Sequence, residues 1–321
     1  MGQLYTSMKL VNLGNCSCAI KMEKEYAPGS HKGRLGMVLA EQMKLKDVKN
    51  LLVSSSGNFA ESVSFYTLGG GIEVTVVTDV LSSRKLISKL EKYSHVKTVV
   101  IDNPDETGSH LKARLEFIDS ALRKDKSLYF LDQYGNKLLP AIYECSLAEE
   151  IWRQTSGEVS SLFFPCGTGA TIAGLANRLK KLKPTIRVFA VDAFGSNLFR
   201  PAKGKRKLPG YGNSKATDLI KEAYKLIDYV IYVADPAAVE MCHSLKREGI
   251  WVGPSSGAAV AAFCQVNSYS PHLLPNYGIP VVVAPDGGEN YTENVFSEEW
   301  CRNNFSVGPK RNLHYANQYI V

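Results

Sequence analysis

The stretch SSLFFPCGTGATIAGLANRLKKL, residues 160–182, decides how the rest of the chain is read. Its opening, SSLFFPC (160–166), carries apolar residues that follow one another rather than alternate. That is the pattern of a strand covered on both faces. Its end, ATIAGLANRLKKL (170–182), has helical spacing, and a glycine-rich turn joins the two. A strand buried on both faces that runs straight into a helix is the unit of a mostly parallel sheet flanked by helices.

The same alternation extends both ways along the chain. Strand-like runs are NLLVSSS (50–56), EVTVVTD (73–79), KTVVID (97–102), RVFAVDA (187–193), YVIYVAD (229–235) and IPVVVAPD (279–286). Helical spacing fills RLGMVLAEQMKL (34–45), NFAESVSFYTLG (58–69), SRKLISKLEKY (83–93), GSHLKARLEFIDSALRK (108–124), DPAAVEMCHSLKREG (235–249) and SGAAVAAFCQV (256–266). The stretch 125–150 has little regular pattern and reads as a crossing between two halves. The expected class is α/β, with helices on both faces of mostly parallel strands.

Bulk composition narrows the function. With 321 residues, the chain can bury a sizeable core in two subdomains or one large α/β unit. A hydrophobic content of 45% and a charged content of 21% are ordinary for a soluble globular protein. The formal net charge is +7, but the basic residues are scattered apart from AKGKRK (202–207). Without a basic stripe interleaved with aromatics, nucleic acid is not an expected partner. A mild positive field suits small anionic substrates. Seven cysteines without a zinc or disulfide spacing point to a reducing compartment and to no metal site. The box LGNC (13–16) has no apolar run before it, no stretch approaches a membrane span, and no secretory segment is evident. The expected location is the cytoplasm. The C-terminal RNNFSVGPKRNLHYANQYIV (302–321) reads as a polar tail laid over the surface or a partner.

Ligands in open α/β sheets sit at the carboxyl ends of strands. Four helix starts carry unusual chemistry there. SSSGNFAES (54–62) offers hydroxyls and backbone amides that could receive a carboxylate or phosphate, although one such residue would serve as a plain helix cap. In PCGTGATIAG (165–174), Gly167, Thr168, Gly169 and Thr171 can wrap a phosphate. A dinucleotide fingerprint is the rival there, with Asp192 ending the next strand, but Ile172 stands where its third glycine would fall. GPSSGAAVAA (253–262) places Ser255 and Ser256 before a small-residue helix. In EYAPGSHKGRLG (25–36), Lys32 sits at a helix start, the unfavourable end of the macrodipole for a cation. A lysine amine, an anion receptor and a phosphate cradle are together what pyridoxal 5'-phosphate requires.

The order of these motifs resembles the cysteine synthase and cystathionine β-synthase family of fold-type-II pyridoxal phosphate enzymes. KMEKEYAPGSHKGRLG resembles its lysine segment, SSSGNFAES its substrate-carboxylate loop and CGTGATIAG its phosphate loop. GIWVGPSSGAAVAA resembles its pyridine-nitrogen segment, FLDQYGN a strand end, and DGGENYTENVFSEEW its C-terminal segment. The resemblance covers about residues 6 to 305. It implies two open, twisted, mostly parallel sheets flanked by helices, as in the tryptophan synthase β fold. It also implies an N-terminal domain over 1–145 with a mobile substrate-binding subdomain at about 37–135, and a C-terminal domain over 146–321 with the phosphate loop.

The resemblance further implies roles for single residues. Lys32 forms the imine with the cofactor and later acts as acid and base at Cα. Asn58 holds the ring hydroxyl, and Ser55, Ser56, Gly57, Asn58 and Gln133 the substrate carboxylate. Gly167, Thr168, Gly169, Ala170 and Thr171 hold the phosphate, and Ser255 faces the pyridine nitrogen. A serine hydroxyl, unlike a carboxylate, does not enforce a protonated ring, which suits β-elimination to an aminoacrylate and addition of a nucleophile. Three positions depart from the family: Phe59 replaces a threonine, adding bulk to the carboxylate loop, Gly33 an aspartate and Ala170 a glycine.

Within the family, NPDETGSHLKARLEFI, FLDQYGN, VFAVDAFGSNLF and LPGYGNS resemble the branch that makes 2,3-diaminopropionate precursors. That branch joins an activated serine, often O-phosphoserine, to an amine such as L-glutamate. Arg114 and Tyr134 fall where it is expected to read leaving group and acceptor, whereas Gly167 is the residue of cysteine synthases proper. O-acetylserine with sulfide is the alternative chemistry. A serine or threonine ammonia-lyase or racemase is a second alternative, although GTGAT lacks the glycine run usual there. A nucleotide-binding or regulatory protein that keeps the fold without the chemistry is a third. The expected partners are small amino-acid substrates and a second copy of the chain in a homodimer, with no membrane.

Overall fold

A computed structural model describes residues 5–80, 84–106, 109–201 and 206–305. Most of the AKGKRK run and the tail beyond residue 305 lie outside these. The chain opens with an antiparallel hairpin, β1 (Met8–Leu13) and β2 (Cys16–Met22), turned at Gly14 with φ +65°. There follow α1 (Lys32–Leu45), β3 (Asn50–Ser54), α2 (Asn58–Thr67), β4 (Glu73–Asp79), α3 (Arg84–Leu90), β5 (Val96–Ile101), α4 (His110–Lys124) and β6 (Leu128–Leu131). The next segment holds α5 (Leu139–Tyr143), a π-helical turn (Glu144–Ala148) and α6 (Glu149–Gln154). The rest alternates: β7 (Val159–Pro165), α7 (Ala170–Leu182), β8 (Arg187–Ala193), α8 (Asp218–Ala223), β9 (Tyr229–Val233), α9 (Asp235–Arg247), α10 (Pro254–Tyr269), β10 (Ile279–Ala284) and α11 (Glu298–Asn304).

Two compact units result: Tyr26–Asn136, and Met1–Glu25 together with Lys137–Val321. This differs from a division at residue 145. The reason is strand pairing, because β2 lies parallel to β10, with Ala19 opposite Val281, and so carries the N-terminal hairpin into the sheet of the C-terminal half. The stretch 125–150 is also more than a crossing. It contains β6, the last strand of the first unit's sheet, and α5 of the second unit.

The unit Tyr26–Asn136 has a four-stranded parallel sheet in the order β5-β4-β3-β6. Leu52 of β3 and Val77 of β4 pack on Ile118 of α4. Helices α1 and α2 approach closely, because Gly36 has no side chain: a Cβ there would lie 2.1 Å from Ser62 Oγ and 2.7 Å from the Ser62 carbonyl oxygen. The Ser62 hydroxyl donates to the Lys32 carbonyl oxygen at 2.7 Å, which fixes the start of α1 against the first turns of α2.

The other unit has a six-stranded sheet in the order β1-β2-β10-β7-β8-β9, parallel except for the β1–β2 pair. Phe163 stacks on Phe189 at 4.3 Å and meets Phe263 of α10 edge-on at 5.5 Å. Small residues let α10 lie against α9: a Cβ on Gly257 would fall 2.4 Å from the Ala238 carbonyl oxygen. Among the described residues, no helix is long and apolar enough to cross a membrane.

Since a Cβ at position 36 has no room beside Ser62, Gly36→Ala is expected to destabilise the protein by about 1–3 kcal/mol. Urea denaturation followed by circular dichroism measures this, and an unchanged midpoint would contradict the close α1–α2 packing.

Candidate active site

In the unit Tyr26–Asn136, the predicted residues gather at strand ends and helix starts. Lys32 is the first residue of α1, behind the buried His31. It is half-buried, and loss of water around its amine pushes the pKa down from 10.5 to about 8. Burial is thus the cause, where the sequence had suggested the helix macrodipole. Gly33 follows because the Tyr26–Ala27 segment crosses directly over it: a Cβ there would meet the Ala27 carbonyl oxygen at 1.9 Å. An aspartate at that position has no room in this backbone.

The loop from β3 to α2 has a division of labour. The Ser55 hydroxyl accepts the backbone N–H groups of Gly57 (3.2 Å) and Ala60 (3.3 Å), so Ser55 itself caps the helix. The exposed Ser56 and the remaining first-turn amides of α2 are what the loop offers an anion. Phe59 is only 2% exposed, so its bulk contributes buried apolar surface rather than crowding the loop. Gln133, just past β6, donates from Nε2 to the Ser54 carbonyl oxygen at 2.6 Å and ties the ends of β6 and β3 together.

Next to these ends lies a buried polar cluster. Arg114 of α4 is 5% exposed, and its Nε is 3.2 Å from Asp79 Oδ2 at the end of β4. Its Nη1 has no hydrogen-bond partner among the described residues. Tyr134 lies beside both Arg114 and Gln133; burial raises its phenol pKa, while the Arg114 charge pulls it down. The Ser54 hydroxyl is also buried without a partner. Sequence reasoning counted Ser54 in its triple-serine motif but gave it no role.

In the other unit, the loop between β7 and α7 is shaped for backbone contact. Gly169 caps α7 with φ +93°, a left-handed conformation, and a Cβ there would fall 2.7 Å from the Ile220 amide nitrogen. Gly167 is open: a Cβ would meet nothing nearer than the Gly210 carbonyl oxygen at 3.9 Å. Two bonds hold the loop from behind, Gly212 N–H to the Cys166 carbonyl oxygen (2.6 Å) and the Thr217 hydroxyl to the Thr168 carbonyl oxygen (2.7 Å). Ala170 and Thr171 form the buried first turn of α7. Ser255, in the first turn of α10, is 1% exposed, and the hydroxyl of its neighbour Ser256 is buried without a hydrogen-bond partner among the described residues. Gly210, at φ +92°, abuts it: a Cβ there would meet the Ser255 hydroxyl oxygen at 3.3 Å. The sequence reading gave Gly210 no role and quoted it only within LPGYGNS, whereas here it lies directly against Ser255.

The dinucleotide rival finds no support in this geometry. Asp192 is fully buried, accepts the Ala193 amide at 2.8 Å, and has its pKa pushed up to about 6 by burial. It is not a surface acid reaching for a ribose. Among the described residues, no cluster of three histidine, cysteine or acidic side chains could hold a metal.

These residues fit pyridoxal phosphate. In one unit a desolvated amine suits its aldehyde; in the other the open Gly167 loop with the first-turn amides of α7 suits its phosphate, and the buried Ser255 hydroxyl suits a ring nitrogen. Two mostly parallel sheets with this set of side chains define a fold-type-II pyridoxal phosphate enzyme. Residues 3–282 match the family described as pyridoxal-phosphate dependent enzymes, and the chain belongs to that family. Pyridoxal phosphate is its cofactor, and its reaction is of the β-replacing transferase kind.

The chain is 32% identical over 288 residues to the N-(2-amino-2-carboxyethyl)-L-glutamate synthase of Cupriavidus metallidurans, covering 87% of this chain and 82% of that one. The enzyme of the same name from Ralstonia nicotianae matches with the same identity and coverage. Among solved structures, the O-acetylserine dependent cystathionine β-synthase of Helicobacter pylori shares the fold with a TM-score of 0.80 at 22% identity, over 91% of this chain and 95% of that one.

The shifted lysine has a kinetic consequence. With a pKa of about 8, roughly one Lys32 amine in ten is neutral at pH 7, against about one in a few thousand at the ordinary value. Uptake of pyridoxal phosphate by cofactor-free protein, followed by absorbance, is therefore expected to rise with pH, with its midpoint near pH 8, and to level off about one pH unit higher. A rise that continues to pH 10 would contradict a desolvated amine. A second expectation concerns the phosphate loop. Replacing Thr168 and Thr171 together by valine removes two hydroxyl donors, each contributing roughly 0.5–1.5 kcal/mol and more toward a charged acceptor. Dialysis and cofactor quantification are expected to show at least a tenfold loss of affinity; unchanged retention would place the phosphate elsewhere.

Proposed function

We propose that the enzyme replaces the β-substituent of an O-activated L-serine, O-phosphoserine in the first place, with an amine such as L-glutamate, giving a 2,3-diaminopropionate precursor. The carrying observation is Arg114: a buried guanidinium whose Nη1 has no hydrogen-bond partner among the described residues, beside Tyr134, which itself adjoins Gln133. A buried donor without an acceptor is costly unless a ligand supplies one, and a planar guanidinium can hold two phosphate oxygens at once. The two relatives named N-(2-amino-2-carboxyethyl)-L-glutamate synthase support the same reading.

The roles follow from the chemistry of each group. When bound, the cofactor supplies an electron sink for a carbanion at the substrate Cα. Lys32 anchors it through the amine, and the same amine, whose pKa burial lowers, takes and returns the Cα proton. Ser56, Asn58, Gln133 and the first-turn amides of α2 hold the substrate carboxylate, and Ser55 keeps that loop in shape. Gly167–Thr171 hold the cofactor phosphate. Ser255 meets the ring nitrogen with a hydroxyl, which can accept or donate and so leaves the ring unprotonated. Activity as a cytoplasmic homodimer belongs to the same proposal.

One observation favours sulfide over an amine as the nucleophile. Gly167 leaves open space in the phosphate loop and offers no hydroxyl to a larger acceptor. Supplying O-phosphoserine or O-acetylserine with either glutamate or sulfide, and identifying products by mass spectrometry, separates the two.

Arg114→Ala is expected to cut turnover of O-phosphoserine about ten- to a hundredfold more than that of O-acetylserine, the equivalent of ~1.5–3 kcal/mol for a lost charge-assisted contact. Arg114→Lys, which keeps the charge without the fork, is expected to fall between. Equal losses on both substrates would assign Arg114 to the fold alone, through Asp79.

A further inference from the structure

Cys16 opens β2 and Cys264 lies in α10, 248 residues further along the chain. Their sulfur atoms are 3.7 Å apart, the one thiol–thiol contact among the described residues, within a single compact unit. Both thiols are free and half-buried, so a small reagent can reach them. Disulfide length is about 2.05 Å, so closing the gap takes roughly 1.6 Å of sulfur movement, within reach of side-chain rotation. The remaining cysteines differ. Cys18, Cys166 and Cys242 are buried, Cys145 is exposed, and the half-buried Cys301 donates its thiol to the carbonyl oxygens of Asn294 and Val295 rather than meeting another sulfur.

We propose that Cys16 and Cys264 form a site of reversible thiol oxidation, whose product is a disulfide stapling the β1–β2 hairpin to α10. The oxidant class is a low-molecular-weight disulfide, such as oxidised glutathione. The Cys16 thiolate attacks one sulfur of the reagent, forming a mixed disulfide and releasing one glutathione thiolate. The Cys264 thiolate then attacks the Cys16 sulfur and releases the second. Two protein thiols are oxidised, one reagent disulfide is reduced to two thiols, and the two protons pass to the released thiolates or to solvent.

Cys16 is the first attacker because burial raises its pKa less than that of Cys264. Since burial raises both, the pair exchanges slowly and answers a sustained oxidising poise rather than a brief pulse. The staple acts on two places at once. It pins an edge hairpin that is held to the sheet through β2 alone, and it holds the helix whose first turn carries Ser255.

The test uses full-length holoenzyme incubated with oxidised glutathione, quenched with acid, alkylated and mapped by tandem mass spectrometry. The expected product is a Cys16–Cys264 cross-link, two hydrogen masses lighter than the free thiols and reversed by dithiothreitol. Its rate of formation is expected to rise roughly tenfold per pH unit around neutrality, as thiolate becomes available. Cys264→Ser is expected to leave Cys16 as a stable glutathione adduct. Free alkylation of both thiols, separate glutathione adducts on each in the wild-type chain, or a cross-link through Cys18 instead would overturn the proposal. If the variant does not fold, the wild-type map decides alone.

Discussion

The unmet backbone N–H groups at helix starts organise this protein. Every α-helix begins with amides that have no intrahelical acceptor. Where a parallel strand feeds a helix, those amides collect at the carboxyl edge of the sheet. Lys32, Asn58, Ala170 and Pro254 each begin a helix, and the proposed anchor, carboxylate loop, phosphate loop and ring-nitrogen hydroxyl lie at those four starts. Some amides are satisfied from within, as Ser55 does for α2. The phosphate loop keeps its first-turn amides behind an open glycine, held by bonds from Gly212 and Thr217. What the chain leaves unsatisfied is its binding chemistry.

Much of the fold could be read from sequence for a single physical reason. Strands covered on both faces must be apolar throughout, so β4 and β8 were bounded to the residue and β3, β7, β9 and β10 to within one or two residues; β5, at a sheet edge and only partly buried, was found to within one residue by its β-branched run. The hairpin β1–β2 escaped because an edge strand mixes exposed and buried positions, as Leu10 and Val11 do. The division into units escaped for a different reason. No local pattern says that β2 will pair with β10, more than 250 residues away. The short elements between 125 and 150 are too brief for a period to emerge.

The candidate site was legible where function puts rare residue types together, as in GTGAT, SSSGN and the lysine after a Pro-Gly-Ser break. It was not legible where a residue matters by what it lacks. Gly33 answers to the chain crossing over it, and Gly210 to the close approach of Ser255; neither spacing nor chemistry announces such contacts. Nor does sequence tell a solvated arginine from a buried one. The apolar stripe of α4 places Arg114 between Leu111 and Ile118, but only tertiary packing leaves its Nη1 without a partner.

The central claim is that a desolvated amine at the start of α1 is the cofactor's anchor. Reducing the cofactor-loaded enzyme with borohydride and sequencing the labelled peptide tests it most directly. Label on Lys32 is the expected result. Label on another lysine, such as Lys24 or the buried Lys21, would contradict it.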